Sequence, residues 1–467
     1  MNKLFLTVLF ALSASFIFCE CNKTAEPDKW NIVFILADDM GWNQVGYHGT
    51  KFYETPNIDR IAGEGISFSN AYSANPVCSP TRSSLMTGKN PARLHITNYI
   101  PGDPYPYALL KTPEMTQCLP MEEVTMAEML KDMGYITGHF GKWHLSPDKN
   151  YRPGRQFDPG SQGFDVVYTC DKPDDNADPE ADAHHAVEIT ENALKFIEEN
   201  KDKPFFAYVA HSVVHRPLME KTDLIAKYKA KPGADDPVNN PIMGAMIERM
   251  DNGIGKILDK LDELGLTEKT IVIFYSDNGG LKALQDQAPF RGGKAMIYEG
   301  GIRVPLAIKW PGVVKPGTKS EDMVISDDFF PTLADIAGYS QQSANIDGIS
   351  LLPLLKDNIR PERNTLYFHY PHYHHFGYKP GGAIREGNYK LIEWYEPALS
   401  GEGKVYELFD LSADISETND LSEQMPEKAA EMLEKLHRWR KEIGAQEMML
   451  NPQYDPKKED WRTKILK

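Results

Sequence analysis

Long apolar runs in the first two thirds of the chain alternate with stretches of helical periodicity. The run Asn31–Ala37 (NIVFILA) is typical of a strand buried on both faces, and similar runs occupy residues 136–140, 205–210, 271–275 and 304–309. Between these runs apolar residues recur with a helical period, most clearly over residues 243–264. The alternation predicts an α/β fold with a large, mostly parallel sheet sandwiched by helices.

The pattern changes after about residue 345. Segments 365–370, 383–394 and 405–411 have the character of antiparallel strands joined by glycine-containing turns, and an amphipathic helix is predicted over residues 426–444. We therefore predict a smaller C-terminal α+β domain with an antiparallel sheet at residues 346–467, after a larger domain at residues 28–345.

The first residues have the pattern of an export signal. Lys3 precedes an apolar run at residues 4–18, which suits the core of a signal peptide and is short for a membrane span. We predict a signal peptide at residues 1–21, and lipidation at Cys19 or Cys21 is an open alternative. Either outcome predicts an exported protein, in the periplasm or lipid-anchored at a bacterial surface, and no later stretch is apolar enough for a membrane span.

Charge and cysteine content exclude some classes of protein. The formal net charge of -16 argues against nonspecific nucleic-acid binding. Beyond the leader the cysteines are Cys78, Cys118 and Cys170, too few for a disulfide framework in an exported chain of 467 residues. Cys118 could pair with Cys170, which would leave Cys78 as an odd cysteine that needs a function.

Acidic and amide side chains follow two of the predicted strands. Asp38 and Asp39 come directly after the first strand, and Asp277 and Asn278 follow the strand at 271–275. Because the carboxyl ends of parallel strands meet at one edge of a sheet, we expect these side chains to lie close together. Each pair alone is more typical of a turn or a helix cap. Together their hard oxygens predict a site for Ca²⁺ or Mg²⁺.

Basic and imidazole side chains also follow predicted strands. Lys142 and His144 come after the strand at 136–140, and on an extended backbone they would point to the same face. His215 lies beyond another strand, and Lys294 lies in a glycine-rich loop that would let its side chain approach a small anion. One such group is usually only solvated or hydrogen-bonded, and we assign His211 that structural role. Several basic and imidazole side chains at one edge of the predicted sheet favour an anion site.

Cys78 lies at the predicted start of a short helix, CSPTRSSLMTG. Ser79 can cap this helix and Pro80 suits its first turn, and the positive end of the helix would lower the pKa of the thiol. A thiol protease is one interpretation. A nearby hard cation, however, offers little to a thiolate and much to an oxygen nucleophile, so the sequence favours an oxygen at position 78.

The chain resembles the type-I, formylglycine-dependent sulfatases of the alkaline phosphatase superfamily. Their motif C-x-P-x-R is present as Cys78-Ser79-Pro80-Thr81-Arg82, followed by a matching LMTG at residues 85–88. Threonine stands at position 81, where serine is commoner in the family. The resemblance extends from residue 32 to about residue 421, and it implies an alkaline phosphatase-like fold with the catalytic domain at residues 28–345.

The resemblance implies how the nucleophile and the metal site are built. Cys78 would be oxidised to formylglycine (3-oxoalanine) by a maturase, and its hydrate would attack sulfur while Asp277 takes a proton. Residue 78 would also contact a divalent cation. That cation is expected to be Ca²⁺ rather than Mg²⁺, bound by Asp38, Asp39, Asp277 and Asn278.

The resemblance also implies roles for the basic side chains. Arg82 would hold the modified residue, and Lys142 and Lys294 would bind the sulfate oxygens. His215 would contact the substrate and protonate the leaving sugar oxygen. His144 would help to expel sulfate by taking a proton from the second hydroxyl of the modified residue.

A segment rich in histidine and tyrosine, HYPHYHHFGYKPGG, bears on the substrate. His372 and His374 would contribute a pocket wall that contacts a sugar ring, and a folded surface turn is the alternative. We expect an exo-acting sulfatase for a galactose or N-acetylgalactosamine sulfate in a glycan. The acidic loop at residues 171–182 would either exclude multiply sulfated chains or bind sugar hydroxyls.

Two other functions remain open. The nearest is a phosphodiesterase or phosphonate monoester hydrolase of the same superfamily, which can use the same modified residue. Those enzymes tend to place extra histidines in the metal site, and none is adjacent in sequence to Asp38 and Asp39 or to Asp277 and Asn278. The other is a surface protein that binds glycans on the same fold without turnover.

Overall fold

The computed structural model describes residues 29–148, 150–340, 345–376 and 378–459. In chain order the strands are β1 (Asn31–Ala37), β2 (Ile66–Phe68), β3 (Ala71–Tyr72), β4 (Leu110–Lys111), β5 (Ile136–Gly141), β6 (Val166–Thr169), β7 (Phe205–Ala210), β8 (Thr270–Ser276), β9 (Leu306–Lys309), β10 (Thr318–Ser320), β11 (Val324–Ile325), β12 (Thr365–Tyr370), β13 (Gly381–Glu386), β14 (Tyr389–Trp394), β15 (Tyr406–Asp410) and β16 (Met449–Leu450). The α-helices are α1 (Pro56–Gly63), α2 (Cys78–Thr87), α3 (Pro91–Leu94), α4 (Met126–Asp132), α5 (Ala186–Glu199), α6 (Thr222–Lys229), α7 (Pro241–Glu263), α8 (Glu299–Ile302), α9 (Phe329–Ala337), α10 (Leu352–Asp357), α11 (Tyr395–Ser400) and α12 (Pro426–Glu442).

The central sheet has eight strands in the order β10-β2-β9-β8-β1-β7-β5-β6. In β1, Ile32, Phe34 and Leu36 pack in one cluster with residues of α2, α4 and α9. Val33 and Ile35 pack in another cluster with residues of α1, α5 and α7. The apolar side chains of β1 thus pack against two helical layers, one on each face of the sheet. The predicted sandwich of a mostly parallel sheet between helices is confirmed.

One strand runs opposite to the expected direction. The apolar run at 304–309 contains β9, which pairs antiparallel with both β8 and β2. A strand covered on both faces is apolar whichever way it runs, so the apolar pattern does not determine strand direction. The long connection between β8 and β9 contains Lys294 and α8.

The C-terminal sheet contains β12, β13, β14 and β15, all antiparallel to their neighbours. On one face Ile384 and Leu391 pack against α12. On the other face Phe368 and Ile392 pack in one cluster with Tyr72 of the larger unit. The predicted C-terminal antiparallel sheet is confirmed, and the bounds 28–345 and 346–467 stay predictions.

Three further expectations have different outcomes. Cys118 and Cys170 are both free thiols, so the disulfide considered from the sequence is not formed. The predicted signal peptide, with Cys19 and Cys21, lies outside the described residues. Within the described part of the chain, no helix combines the length and the apolar character needed to cross a membrane.

Candidate active site

The acidic side chains meet where β1 and β8 end. These parallel strands pair Ala37 with Ser276, which places the following residues, Asp38 and Asp277, side by side. The backbone N–H of Asp277 donates to the Ala37 carbonyl (3.1 Å). The N–H of Asp39 donates to Asp277 Oδ1 (3.1 Å). The strand ends therefore bring together the residues that the sequence pattern singled out.

This acidic cluster contains oxygens that suit a cation. Asp38 Oδ1 and Asn278 Oδ1 are buried and have no hydrogen-bond partner among the described residues. Ligand atoms of Asp38, Cys78 and Asp277 lie within 4.8 Å of one another. Buried acceptors without partners are costly unless something binds them. The oxygen donors of the cluster fit a hard divalent cation.

Burial and neighbouring charges set the protonation of the three carboxyl groups. Burial, together with the Asp38 charge, raises the pKa of Asp277 to about 7 against the opposing effect of Arg82. Burial also raises the pKa of Asp39. At Asp38 burial acts in the same direction, but Lys142 and other cations outweigh it and hold the pKa well below the usual range. A divalent cation would favour the ionised form of all three.

Cys78 is the first residue of α2, and Val77 is the N-cap. Ser79 is not the cap, contrary to expectation, because its hydroxyl accepts a hydrogen bond from the Ile100 N–H (3.1 Å). Cys78 is only 1% exposed, and burial raises the pKa of its thiol although nearby lysines oppose this effect. The expected lowering by the helix is therefore outweighed. A buried thiol is a poor source of thiolate, which strengthens the case for an oxygen nucleophile at this position.

Arg82 joins α2 to the ends of two strands. It lies one turn after Cys78 on the same face of the helix. Its Nε and Nη2 both donate to Asp277 Oδ2 (2.9 and 2.8 Å), and its Nη1 donates to the Lys142 carbonyl (2.8 Å). A side chain fixed by three hydrogen bonds can hold Asp277 in one orientation relative to α2, the helix that begins with residue 78.

Two buried lysines flank the cluster. Lys142 follows β5, and its Nζ lies 2.5 Å from Asp38 Oδ2. Lys294 lies in the loop between β8 and α8, and its Nζ lies 2.7 and 2.8 Å from the two carboxylate oxygens of Asp39. Gly293 allows this loop its close approach, since a Cβ there would lie 2.6 Å from the Gly280 carbonyl oxygen. Both ammonium groups are thus paired with carboxylates of the acidic cluster, and anion binding by the two lysines stays a prediction.

His144 contacts Cys78 directly. Its Nδ1 lies 3.2 Å from Cys78 Sγ, and its Nε2 donates to the Ile100 carbonyl (2.8 Å). Because a carbonyl only accepts, the neutral ring carries its proton on Nε2 and presents Nδ1 as an acceptor. Burial, with Lys142 and Arg82, holds the pKa of His144 well below its usual value. Its φ of 58° shows that the backbone has turned, so the expected extended stretch from Lys142 is not present.

His215 lies on the other side of the acidic cluster. Its Nε2 is 3.8 Å from Asp39 Oδ2, and its Nδ1 donates to the Arg216 carbonyl (2.7 Å). Its ring and the carboxylates of Asp38 and Asp39 fall within 4.8 Å of one another. A histidine therefore does lie beside the acidic cluster, which removes the sequence-based argument against a phosphodiesterase. His211 is fully buried and does not line the cavity.

A cavity of about 830 Å³ opens above these groups, within the size range of small-molecule sites. Its floor contains six predicted site residues, Asp39, Cys78, Lys142, His144, His215 and Lys294. Its walls contain residues that the sequence interpretation did not assign to the site, among them Tyr99, Lys172, Arg216, His375 and Phe376. His375 adjoins a residue already singled out, whereas Tyr99 lies in a loop with no recognisable pattern.

The histidine-rich segment contributes to the cavity in a different way than expected. His374 lines the cavity. His372 does not line it, because its Nε2 is hydrogen-bonded to Thr97 Oγ1 (2.8 Å). His372 therefore does not reach the cavity, whereas its neighbours His374 and His375 do, and a sugar contact by His374 stays a prediction.

Comparison with known proteins assigns the family. Residues 30–339, more than half of the chain, match the family described as Sulfatase. The chain belongs to the sulfatase family. Residues 292–443 also match the family described as N-sulphoglucosamine sulphohydrolase, C-terminal. The sulfatase is therefore a sulfuric ester hydrolase, and the resemblance first indicated by the motif at residues 78–82 is confirmed.

Relatives and solved structures cover nearly the whole sulfatase. A sulfatase of Formosa agariphila is 31% identical over 526 aligned residues, which cover 94% of each chain. An N-acetylgalactosamine-6-O-sulfatase of Bacteroides thetaiotaomicron is 30% identical and covers 89% of this chain and 95% of its own. The structure of Ps i-CgsB in complex with k-i-k-neocarrahexaose has a TM-score of 0.73 and 26% identity, covering 93% of this chain and 97% of its own.

A phosphonate monoester hydrolase is also similar in structure. The enzyme of Agrobacterium radiobacter has a TM-score of 0.68 and covers 89% of this chain and 96% of its own, at 19% identity. At that identity the similarity shows the shared fold alone.

Proposed function

We propose that the sulfatase is an exported, exo-acting enzyme that removes the 6-O-sulfate of N-acetylgalactosamine or galactose in a glycan. The proposed nucleophile is the hydrate of formylglycine formed from Cys78, assisted by one Ca²⁺. The observation that carries the proposal is the position of Cys78 on the cavity floor. Its Sγ lies 3.2 Å from the proton-accepting nitrogen of His144 and beside the buried carboxylates.

The first step forms a bond from residue 78 to sulfur. A maturase, using a two-electron oxidant of its own, would oxidise Cβ of Cys78 to an aldehyde as the carbon–sulfur bond breaks and the sulfur leaves as sulfide. Water would then add to give a carbon with two hydroxyls. One hydroxyl attacks sulfur while Asp277 accepts its proton, and the bond from sulfur to the sugar oxygen breaks. A divalent cation beside Asp277 would favour its ionised form, which can accept that proton. Arg82, bonded twice to this carboxylate, keeps it oriented.

The leaving oxygen needs a proton because an alkoxide departs slowly. His215 is the proposed donor, and Lys142 and Lys294 are the proposed partners of the sulfate oxygens. Since Nδ1 of His215 already donates to the Arg216 carbonyl, a proton on Nε2 requires the imidazolium form. Burial, with Lys294 and Lys142, holds the pKa of His215 well below its usual value in the free protein, and the negative charge of a bound sulfate would raise it toward the imidazolium form.

The second step releases sulfate and restores the aldehyde. Nδ1 of His144 takes the proton from the remaining hydroxyl of residue 78, the carbon–oxygen bond to sulfate breaks, and the aldehyde re-forms. The tautomer fixed by the Ile100 carbonyl leaves this nitrogen free to accept.

The acidic cluster is the proposed calcium site. Asp38, Asp39, Asp277 and Asn278 would hold the ion, which would neutralise charge on the sulfate oxygens when bound. Oxygen donors favour Ca²⁺ over softer metals.

The choice of sugar is supported by the relatives. Besides the bacterial enzyme, the N-acetylgalactosamine-6-sulfatases of dog and human are 33% and 34% identical over 73% of this chain. The apolar N-terminal run at residues 4–18 favours export.

Sulfate release from defined sugars tests the proposal. The full chain would be expressed with a formylglycine-generating maturase, and peptide mass spectrometry over residues 78–82 would measure conversion of Cys78. Free sulfate would then be measured by ion chromatography for the 6-sulfates and 4-sulfates of N-acetylgalactosamine and galactose, with Cys78→Ala as the inactive control. We expect the 6-sulfates to react fastest. Activity of protein that retains an unmodified thiol would overturn the mechanism.

The same preparation distinguishes the other functions. Faster hydrolysis of an aryl phosphate diester than of an aryl sulfate would favour the phosphodiesterase. Glycan binding by fully converted protein that releases no sulfate from any substrate would favour a binding protein without turnover.

A further inference from the structure

One wall of the cavity is built from four rings that come from two distant segments. Tyr99 belongs to the larger unit, whereas His374, His375 and Phe376 lie in the loop after β12. The rings of His374 and His375 stack with centroids 4.2 Å apart, and Tyr99 meets them edge-on at 5.6 and 6.4 Å. Phe376 extends the surface, 4.4 Å from His375. We call these four residues the aromatic wall.

Asp103 supports the aromatic wall from outside the cavity. Its Oδ2 accepts hydrogen bonds from His375 Nδ1 (2.9 Å) and from the Tyr105 hydroxyl (3.2 Å). The bond from His375 is the largest influence on the Asp103 carboxyl and holds its pKa well below the usual range, and the nearby Tyr99 side chain acts in the same direction. One ionised side chain therefore binds His375 and also interacts with Tyr99, the wall residue from the other segment.

The loop that carries the histidines is anchored separately at its base and at its tip. At the base, His372 Nε2 is hydrogen-bonded to Thr97 Oγ1 (2.8 Å), and the Tyr373 hydroxyl donates to Glu396 (2.9 Å). At the tip, the bond between Asp103 and His375 ties the loop to the larger unit. Loss of the tip contact would therefore loosen the wall without detaching the loop.

Asp103 also selects the tautomer of His375. Because a carboxylate only accepts, Nδ1 of His375 carries the proton that is donated to Asp103. Nε2 has no hydrogen-bond partner among the described residues and is available to a ligand. A pyranose ring can use both features of the wall, since its C–H face packs on aromatic rings and its hydroxyls can bond to an imidazole nitrogen.

We propose that Asp103 is a positioning residue for the carbohydrate: it fixes His375 and Tyr99 in the wall that binds the sugar ring, and it takes no part in cleavage of the sulfur–oxygen bond. The inference rests on the proposed glycan sulfatase function and adds a residue that governs sugar recognition. It follows that substrates without hydroxyl groups depend on Asp103 far less than sugar sulfates do.

Kinetics of matured Asp103→Ala on two substrates test the proposal. If the wall is in place for about a tenth of the time in this variant, KM for N-acetylgalactosamine 6-sulfate rises about tenfold with kcat within about twofold. For 4-nitrophenyl sulfate we expect kcat to stay within about twofold of the wild type, because the reacting groups are untouched. Asp103→Asn, which keeps an acceptor oxygen, should give a smaller rise in KM. His375→Ala should match Asp103→Ala, and the double variant should show no further loss.

Tyr105→Phe is the matched control. It removes a hydrogen bond to Asp103 that does not involve the wall, so both substrates should behave as in the wild type. Equal losses on both substrates, or an unchanged KM for the sugar in Asp103→Ala, would overturn the proposal.

Hydrogen exchange gives a second readout that needs no substrate. Amides of residues 372–376 should exchange faster in Asp103→Ala than in the wild type or in Tyr105→Phe. If the wild type cleaves the aryl sulfate but no sugar sulfate, the proposed function has failed, and the exchange result then decides whether Asp103 orders the wall.

Discussion

Asp277 Oδ2 accepts two hydrogen bonds from Arg82, at 2.9 and 2.8 Å, although the two residues lie 195 positions apart. The other oxygen of this carboxylate accepts the N–H of Asp39 (3.1 Å). Asp277 is therefore held at both oxygens, by a helix on one side and by the end of a strand on the other.

Replacement of Arg82 by lysine should lower kcat strongly. An ammonium cannot bond Asp277 twice and also reach the Lys142 carbonyl, so the base and residue 78 lose their fixed orientation, and we expect a loss of about a hundredfold. Arg82 also belongs to the motif at residues 78–82, so rates must be divided by the formylglycine content from peptide mass spectrometry. A corrected kcat equal to that of the wild type would contradict the role of this pair.

Calcium should stabilise the protein through the unpartnered oxygens of Asp38 and Asn278. At a hundred times Kd, binding to the folded state adds about 2.7 kcal/mol to the free energy of unfolding. We expect a chelator to lower Tm and activity and Ca²⁺ to restore both. Asn278→Ala should lose the calcium response, and Asn192→Ala, on the exposed side of α5, should keep it. A calcium response that survives in Asn278→Ala would place the ion elsewhere.

Replacement of His215 by glutamine should affect substrates according to their leaving group. A sugar alkoxide needs a proton donor and a nitrophenolate does not, so we expect a loss of about a hundredfold or more on sugar sulfate and a much smaller loss on 4-nitrophenyl sulfate. His211→Gln is the control, because His211 does not line the cavity. It should change Tm without changing the ratio of the two rates. Equal losses on both substrates in His215→Gln would exclude a general acid.

The acidic loop should discriminate against highly charged glycans. Asp174 and Asp175 line the cavity on exposed positions of the loop at residues 171–182. Their replacement by asparagine should raise kcat/KM for a disulfated substrate about threefold more than for a monosulfated one at low salt, and the gain should shrink as salt screens it. Asp235→Asn, an exposed carboxylate outside the cavity lining, serves as the control. A gain in kcat/KM that does not change with salt concentration would rule out an electrostatic cause.

A buried charge cluster between the two units should make stability depend on pH. Lys390 Nζ lies 2.9 Å from both Glu299 Oε1 and Glu417 Oε1. Burial, with the charge of Glu299, raises the pKa of Glu417 from 4.5 to about 7 despite Lys390. Protonated Glu417 holds its proton more tightly in the folded state than in the unfolded state. Its contribution to the free energy of unfolding is therefore complete below the pKa of the unfolded state, and it is lost as pH rises through the pKa of the folded state.

Glu417→Gln removes this titration. We therefore expect the variant to gain stability relative to the wild type between pH 5 and pH 8, by a free energy of unfolding on the order of 2 kcal/mol. Its Tm relative to that of the wild type should accordingly be higher at pH 8 than at pH 5. Glu402→Gln, at an exposed position, should show no such trend. A Tm difference that is the same at both pH values would contradict the raised pKa of Glu417.

Local sequence pattern predicted those parts of the site that follow directly from strand ends. Asp38 and Asp277 were placed side by side because adjacent parallel strands end at the same edge. The pattern could not predict the antiparallel direction of β9, because a strand buried on both faces is apolar whichever way it runs. It also assigned the wrong cap to α2, because a tertiary contact with Ile100 uses the Ser79 hydroxyl instead.

The sugar-facing wall was the hardest part to predict. His372 and His374 have the same residue type and lie two positions apart, yet one bonds to Thr97 and the other lines the cavity. The difference depends on the fold of a loop against a distant segment. No periodicity in the sequence of the loop records the bond between Asp103 and His375, which spans 272 positions.

The burial of Cys78, at 1% exposure, also imposes an order of events on biosynthesis. Asp277 and Lys294, which help to enclose this residue, are synthesised about two hundred residues after it. The maturase of the proposed mechanism would require an accessible peptide, so it would have to act before β8 and the Lys294 loop close over α2. Under that mechanism, a chain that folds first would keep its thiol and stay inactive. The fraction of active enzyme would then depend on the relative rates of oxidation and folding, and we expect slower folding at lower growth temperature to raise the formylglycine content.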